Sequence, residues 1–79
     1  MKAKVRVFLK AGVLDVQGKA VEQALHGLGF AGVSEVRVGR LIDFDVAGTD
    51  PAKAKAEVEA MCHRLLANPV IESFEVEIV

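Results

Sequence analysis

The side chains of this sequence best suited to chemistry are two histidines, one cysteine, two serines, a pair of glutamates and a glycine-rich run. Their spacing argues against each as a reacting centre. His26 and His63 have no neighbours at metal-ligand spacing, and a zinc site needs more donors than this pattern offers. His63 follows Glu59 by one helical turn, which predicts a surface pair. Cys62 falls on an apolar stripe, where cysteine acts as a small hydrophobe; a nucleophile wants an electropositive, open setting with a base in reach. Ser34 and Ser73 lack a triad pattern around them. Glu75 and Glu77 share one face of a strand, the ordinary arrangement of a solvated edge. The run Gly27-Leu28-Gly29-Phe30-Ala31-Gly32 matches G-x-G-x-x-G, but a dinucleotide site needs a strand before it and a helix after it. Here a helix precedes and a strand follows, so the run reads as a helix stop. No catalytic or metal-binding set is expected.

The elements that would position these residues follow from patterning. The 79 residues allow one domain, 1–79, and a chain this short has a thin stability margin. It is 52% hydrophobic with a net charge of −1, so some apolar surface is expected to face a partner. The balanced charge, four Phe and no Tyr or Trp give nucleic-acid binding little support. The single cysteine fits a reduced cytoplasmic setting. No segment has the apolar length of a signal peptide or a membrane span, which predicts a soluble protein without membrane contact.

Residues 3–9 alternate, with Ala3, Val5, Val7 and Leu9 on one face, and predict a strand. Asp15 is an N-cap for a helix carrying Ala20, Val21, Ala24, Leu25 and Leu28, closed by Gly29. From Val33 to Val46, parity keeps Val36, Val38, Ile42, Phe44 and Val46 on one face. A two-residue hairpin at Gly39-Arg40 would break that parity, so one long strand is expected, with any bend at Gly39. Asp50-Pro51 opens a second helix with Ala54, Val58, Met61, Cys62 and Leu65 as its stripe; Asn68-Pro69 ends it. A last strand places Phe74, Val76 and Ile78 together. The expected fold is α+β, β-α-β(long)-α-β, an antiparallel-type sheet with two helices on one face, related to ferredoxin-like sandwiches. The long strand would leave a free edge for a second copy.

Three stretches go further: Gly12-Val13-Leu14-Asp15-Val16-Gln17-Gly18-Lys19-Ala20-Val21, Val33-Ser34-Glu35-Val36-Arg37-Val38-Gly39-Arg40, and Leu65-Leu66-Ala67-Asn68-Pro69-Val70-Ile71-Glu72. In this order and in a chain of this length they closely resemble the PurS family of phosphoribosylformylglycinamidine synthase subunits. One departure is Val16, where the family commonly has proline; this gives up a pre-set helix start but keeps the Asp15 cap.

The resemblance implies a non-catalytic subunit in the fourth step of purine synthesis. There formylglycinamide ribonucleotide becomes formylglycinamidine ribonucleotide, with ATP and glutamine-derived ammonia. It implies a homodimer or homotetramer that joins a large PurL-type synthetase to a PurQ-type glutaminase and aids ammonia transfer. The large subunit uses ATP and Mg; no cofactor is implied for this chain. Asp15, Gln17, Gly18 and Lys19 form an exposed polar turn, and Arg37 and Arg40 flank Gly39; all six are candidate subunit-interface residues, the arginines equally candidates for pairing within the chain. The rival reading is a ferredoxin-like or ACT-type module binding a small effector, which needs a second pair of strands. A stand-alone enzyme is the third.

Overall fold

A computed structural model describes residues 1–79. Strand β1 (Lys2–Leu9) leads into helix α1 (Val16–Gly27), then β2 (Arg40–Asp45), α2 (Pro51–Met61) and β3 (Glu72–Ile78). The sheet order is β2-β1-β3, and both pairings are antiparallel. The α+β class and the element order are those expected. The sheet has three strands, so the second strand pair that an ACT-type module requires is not formed.

Register follows the alternation read from the sequence. Val5 lies opposite Ile42 on one side and Val76 on the other, and Ala3 lies opposite Phe44 and Ile78. These rows form the covered face. Ala3, Val5 and Val7 pack with Ala54, Val58 and Cys62 of the second helix and with Val46 and Ala67. The opposite face is charged: Lys4 stands across from Asp43 and Glu77, and Arg6 lies 3.8 Å from Glu75 and 3.9 Å from Glu77.

Helix boundaries are set by local chemistry. Asp50 accepts from the amides of Ala52 and Lys53, with Pro51 in the first turn. At the end of α1, Gly29 takes φ +99°, its amide donates to His26 and that of Phe30 donates to Leu25. This is the Schellman pattern, which needs a left-handed residue at that position. The G-x-G-x-x-G run is therefore a helix stop.

Three expectations change. First, α2 does not end as a plain α-helix but runs into a π-turn, Cys62–Leu66, where the Ala67 amide donates to Cys62 at 3.1 Å. The wider turn shifts the inward face by one position. Leu65, expected on the stripe, is 83% exposed, and Leu66 and Ala67 face inward in its place. His63 meets Phe74 edge-on at 5.2 Å rather than pairing with Glu59.

Second, the long strand is shorter than expected. Only Arg40–Asp45 joins the ladder: β1 continues to Leu9, but the Val38 amide is taken by the Asp15 carboxylate, so pairing stops at Val7–Arg40. Residues 33–39 run on past the sheet, and no hairpin forms at Gly39. Glu35 lies within this run at φ +54°.

Third, only α2 covers the sheet. Helix α1 packs beside residues 36–38, beyond the end of the ladder, and leaves Val21 and Leu28 exposed. The Cα radius of gyration is 15.9 Å, against roughly 12 Å for a compact chain of this length. The molecule measures 49 × 24 × 14 Å, and 10 of 79 residues are buried. A core this small leaves much apolar surface uncovered.

Candidate assembly site

The turn between β1 and α1 sits where residues 36–40 pass the end of the sheet. Asp15 joins the two. Its Oδ1 accepts from the Gly18 amide at 2.7 Å, capping α1, and its Oδ2 accepts from the Val38 amide at 2.8 Å. Only 5% of Asp15 is exposed. The Val38 and Gly18 amides hold its carboxyl below the usual carboxylate range, with a smaller contribution from the Arg37 charge.

Two turns further along α1, Glu22 Oε1 accepts from the Val36 amide at 3.2 Å, which likewise lowers its carboxyl. Lys19 lies 3.7 Å from Glu22. Two carboxylates of one helix thus hold alternate amides of one chain segment. Gly18 makes the close approach possible: a Cβ there would run into the Val36 carbonyl oxygen.

The two arginines act within the chain. Arg37 donates to the carbonyls of Val13 (3.1 Å) and Lys10 (3.3 Å), fixing the turn that leads to Asp15. Arg40 donates to both oxygens of Glu72, at 2.8 and 3.2 Å, and to the Leu66 carbonyl at 2.6 Å. Glu72 in turn accepts from the Asn68 amide at 2.7 Å, and Lys10 Nζ donates to the Pro69 carbonyl at 2.7 Å. The Arg40 guanidinium, helped by the Asn68 amide, holds the Glu72 carboxyl below the usual carboxylate range. These bonds tie the end of the π-turn and the Asn68–Ile71 loop to β1 and β2.

Of the six sequence candidates, Asp15 and Gly18 are thus structural hinges between α1 and residues 36–38, and Arg37 and Arg40 are ties between loops. Gln17 and Lys19 remain exposed, and Gln17 makes no side-chain hydrogen bond within the chain. The patterning did not single out Glu22, Lys10 or Glu72, and read Asn68 only as part of the helix stop. A signal for one pair was present. Arg40 shares parity with Ile42 and Phe44, and Glu72 with Phe74 and Val76, so each is a charge placed in an otherwise apolar row.

Cys62 is fully buried, and burial pushes its thiol up, away from the thiolate a nucleophile needs. The histidines sit apart: His26 Nε2 lies 2.6 Å from the Val33 carbonyl, and His63 lies against Phe74. No three His, Cys, Asp or Glu side chains gather as metal ligands. No helix is long and apolar enough to cross a membrane.

A small core, loops locked by charged groups and a helix left uncovered by the sheet make this an α+β module with apolar surface that one chain does not bury. The family model for PurS, phosphoribosylformylglycinamidine (FGAM) synthase, matches residues 2–79. The PurS subunit of phosphoribosylformylglycinamidine synthase from Methanocaldococcus jannaschii is 46% identical over 77 residues, covering 98% of this chain and 93% of that protein. The crystal structure of Methanocaldococcus jannaschii PurS, one of the subunits of formylglycinamide ribonucleotide amidotransferase in the purine biosynthetic pathway, superposes with a TM-score of 0.86 at 45% identity; the match covers 96% of this chain and 92% of that one. A chain of the PurLQS structure from Thermotoga maritima reaches a TM-score of 0.89 at 31% identity, over 99% of this chain and 95% of that one. The chain belongs to the PurS family of FGAM synthase subunits.

Proposed function

We propose that this chain is the docking subunit of its FGAM synthase. It joins a PurL-type synthetase to a PurQ-type glutaminase and helps ammonia pass between them. The ATP- and Mg-dependent amidation belongs to the large subunit and glutamine hydrolysis to the glutaminase, and the assembly works in the cytoplasm. The observation that carries this reading is the likeness, over 99% of the chain, to a chain of the Thermotoga maritima PurLQS structure. The intrachain roles of Cys62 and the histidines agree with a part that leaves the chemistry to other subunits.

The same reading includes self-association as a homodimer or homotetramer. The Val36 and Val38 amides point to α1 and are satisfied there, whereas the Arg37 amide between them has no partner in the chain. Backbone groups alternate sides along an extended segment, so one edge is sealed and the other is open for pairing. Val21 and Leu28 of α1 are also left exposed by the single chain.

The test is reconstitution with the synthetase and glutaminase of the same organism. Glutamine-dependent activity should require this chain, and ammonia-dependent activity should require it far less. Equal use of glutamine with and without it would overturn the docking role.

A further inference from the structure

The chain divides into two parts by what holds each together. Every side chain of the apolar core comes from residues 3–7 or 46–67, and the hydrophobic groups packed on that core come from Met1 and residues 42–78. From Phe8 to Leu41 no apolar side chain is buried or packs against it. Leu14, Val16, Leu28 and Phe30 are each more than half exposed, and no strand or other helix packs along α1. What joins α1 to residues 33–38 is polar. Glu22 and Asp15 accept from the Val36 and Val38 amides, and His26 Nε2 meets the Val33 carbonyl. Between these contacts Glu35 is held at φ +54°, a strained conformation for a glutamate. A helix of 12 residues that includes Gly18 and Gly27 is marginal by itself. Ordering such a segment costs conformational entropy that apolar burial normally offsets.

The backbone groups that lack a partner lie along one line. Met1 and Val46 bond to each other, so the amides of Arg40, Ile42 and Phe44 turn to β1 and those of Leu41, Asp43 and Asp45 turn outward. Strand β2 is at the margin of the sheet, and the Arg37 and Gly39 amides have no partner either. One open edge therefore runs from Arg37 to Asp45. A second copy brings the same edge. Paired antiparallel about a two-fold at Leu41, it sets Arg37 against Asp45 of the partner subunit and Gly39 against the partner's Asp43, with no like charges opposite. Moving the two-fold to Arg40 would set Glu35 against the partner's Asp45. Moving it to Ile42 would lose the contact of Arg37 with a carboxylate. We propose that residues 10–39 become ordered only as this edge pairs with the edge of a second copy about Leu41. The proposal rests on the self-association reading and gives it a consequence: the separated chain keeps its sheet and α2 and loses α1. The shared ladder fixes Arg37 and Gly39, and the carboxylates of Asp15 and Glu22 carry that order to the helix.

Leu41→Glu would place two carboxylates opposite each other at the two-fold, and Leu41→Lys two ammonium groups. Leu41 is 56% exposed, so the single chain has room for either. Light scattering and amide hydrogen exchange compare the full-length variants with the wild-type chain. Each variant alone should show half the wild-type mass. Its amides at residues 20–27 should exchange about a hundredfold faster than in the wild type, and those of β1 and β3 less than about tenfold faster. Mixing the two variants should restore the mass and the slow exchange of α1. Wild-type mass in either variant alone, or a mixture that stays at half mass, overturns the pairing at Leu41. Half mass with α1 exchange within about threefold of wild type overturns the coupling and leaves self-association standing. Equal loss of protection in α1, β1 and β3 overturns it too, because the chain then folds as one unit. A wild-type chain that is monomeric overturns self-association, and this inference with it.

Discussion

The carboxylate of Asp15 lies 2.8 Å from the amide of Val38, 23 positions along the chain, while its other oxygen caps α1 at Gly18. One side chain therefore starts a helix and anchors the segment that passes the end of the sheet. Replacing it with asparagine keeps one acceptor and the cap but removes the charge. Asp15→Asn is expected to fold with a lower denaturation midpoint and faster hydrogen exchange at the Val38 amide. Unchanged exchange at that amide would show that the contact does not hold the segment.

The same contact sets a pH dependence. Asp15, Glu22 and Glu72 all have carboxyls held below their ordinary values, by the amides of Val38 and Val36 and by the Arg40 side chain respectively. Each folded-state value is below the unfolded value of roughly 4. The stabilisation is then complete above that unfolded value and is lost as pH falls through the folded one. Stability should be level from about pH 7 to 5 and fall below about pH 4, and the fall should be shallower in Asp15→Asn. Parallel acid profiles for the variant and the wild type would remove Asp15 from this account.

Gly18 and Gly27 lie in the same helix and should respond in opposite senses to alanine. In a helix interior the exchange stabilises by about 1 kcal/mol when nothing opposes it. A Cβ at Gly27 meets nothing within 4 Å, so Gly27→Ala should raise the melting temperature by a few degrees. At Gly18 the Cβ meets the Val36 carbonyl oxygen and the Asp15 carboxyl, and neither backbone nor cap can yield without breaking the contact above. Gly18→Ala should lower the melting temperature despite the better helix former. Equal gains at both sites would mean that residues 36–38 are free to move away.

What patterning could read, and what it could not, divides along the chain. Asp15, Gly29 and Asp50-Pro51 act on backbone within a few residues, so their roles are fixed by neighbours in sequence and were legible. Strand faces were legible because Val5, Ile42 and Val76 obey period two. The arginines were not, because the carbonyls that Arg37 reaches lie 24 and 27 positions away, and Glu72 lies 32 from Arg40. The side of the molecule on which α1 settles was hidden for a different reason. Its apolar stripe is real, but a stripe says only that something covers it, and within one chain the sheet does not. In the assembly site the turn was visible as a polar cluster, whereas its inward-facing bonds were not.

The register shift at the π-turn gives a sharp contrast between adjacent leucines. An uninterrupted α-helix would bury Leu65 on the stripe of Val58 and Cys62, with Leu66 turned to one side. With the π-turn, Leu65 is exposed and Leu66 packs against the core. Leu66→Ala is expected to destabilise the chain by about 1–3 kcal/mol, below the full-burial range because Leu66 is only partly covered. Leu65→Gln should stay within about 0.5 kcal/mol, as for a surface substitution. Urea denaturation of the two variants under identical conditions measures both. The reverse order would mean that the helix continues in α register to Leu65, and that the bond from the Ala67 amide to Cys62 is absent in solution. The expected order would establish the widened turn as the device that turns Ala67 inward and delivers the Leu66 carbonyl to Arg40, so that the second helix and the Asn68–Ile71 loop are held by one side chain.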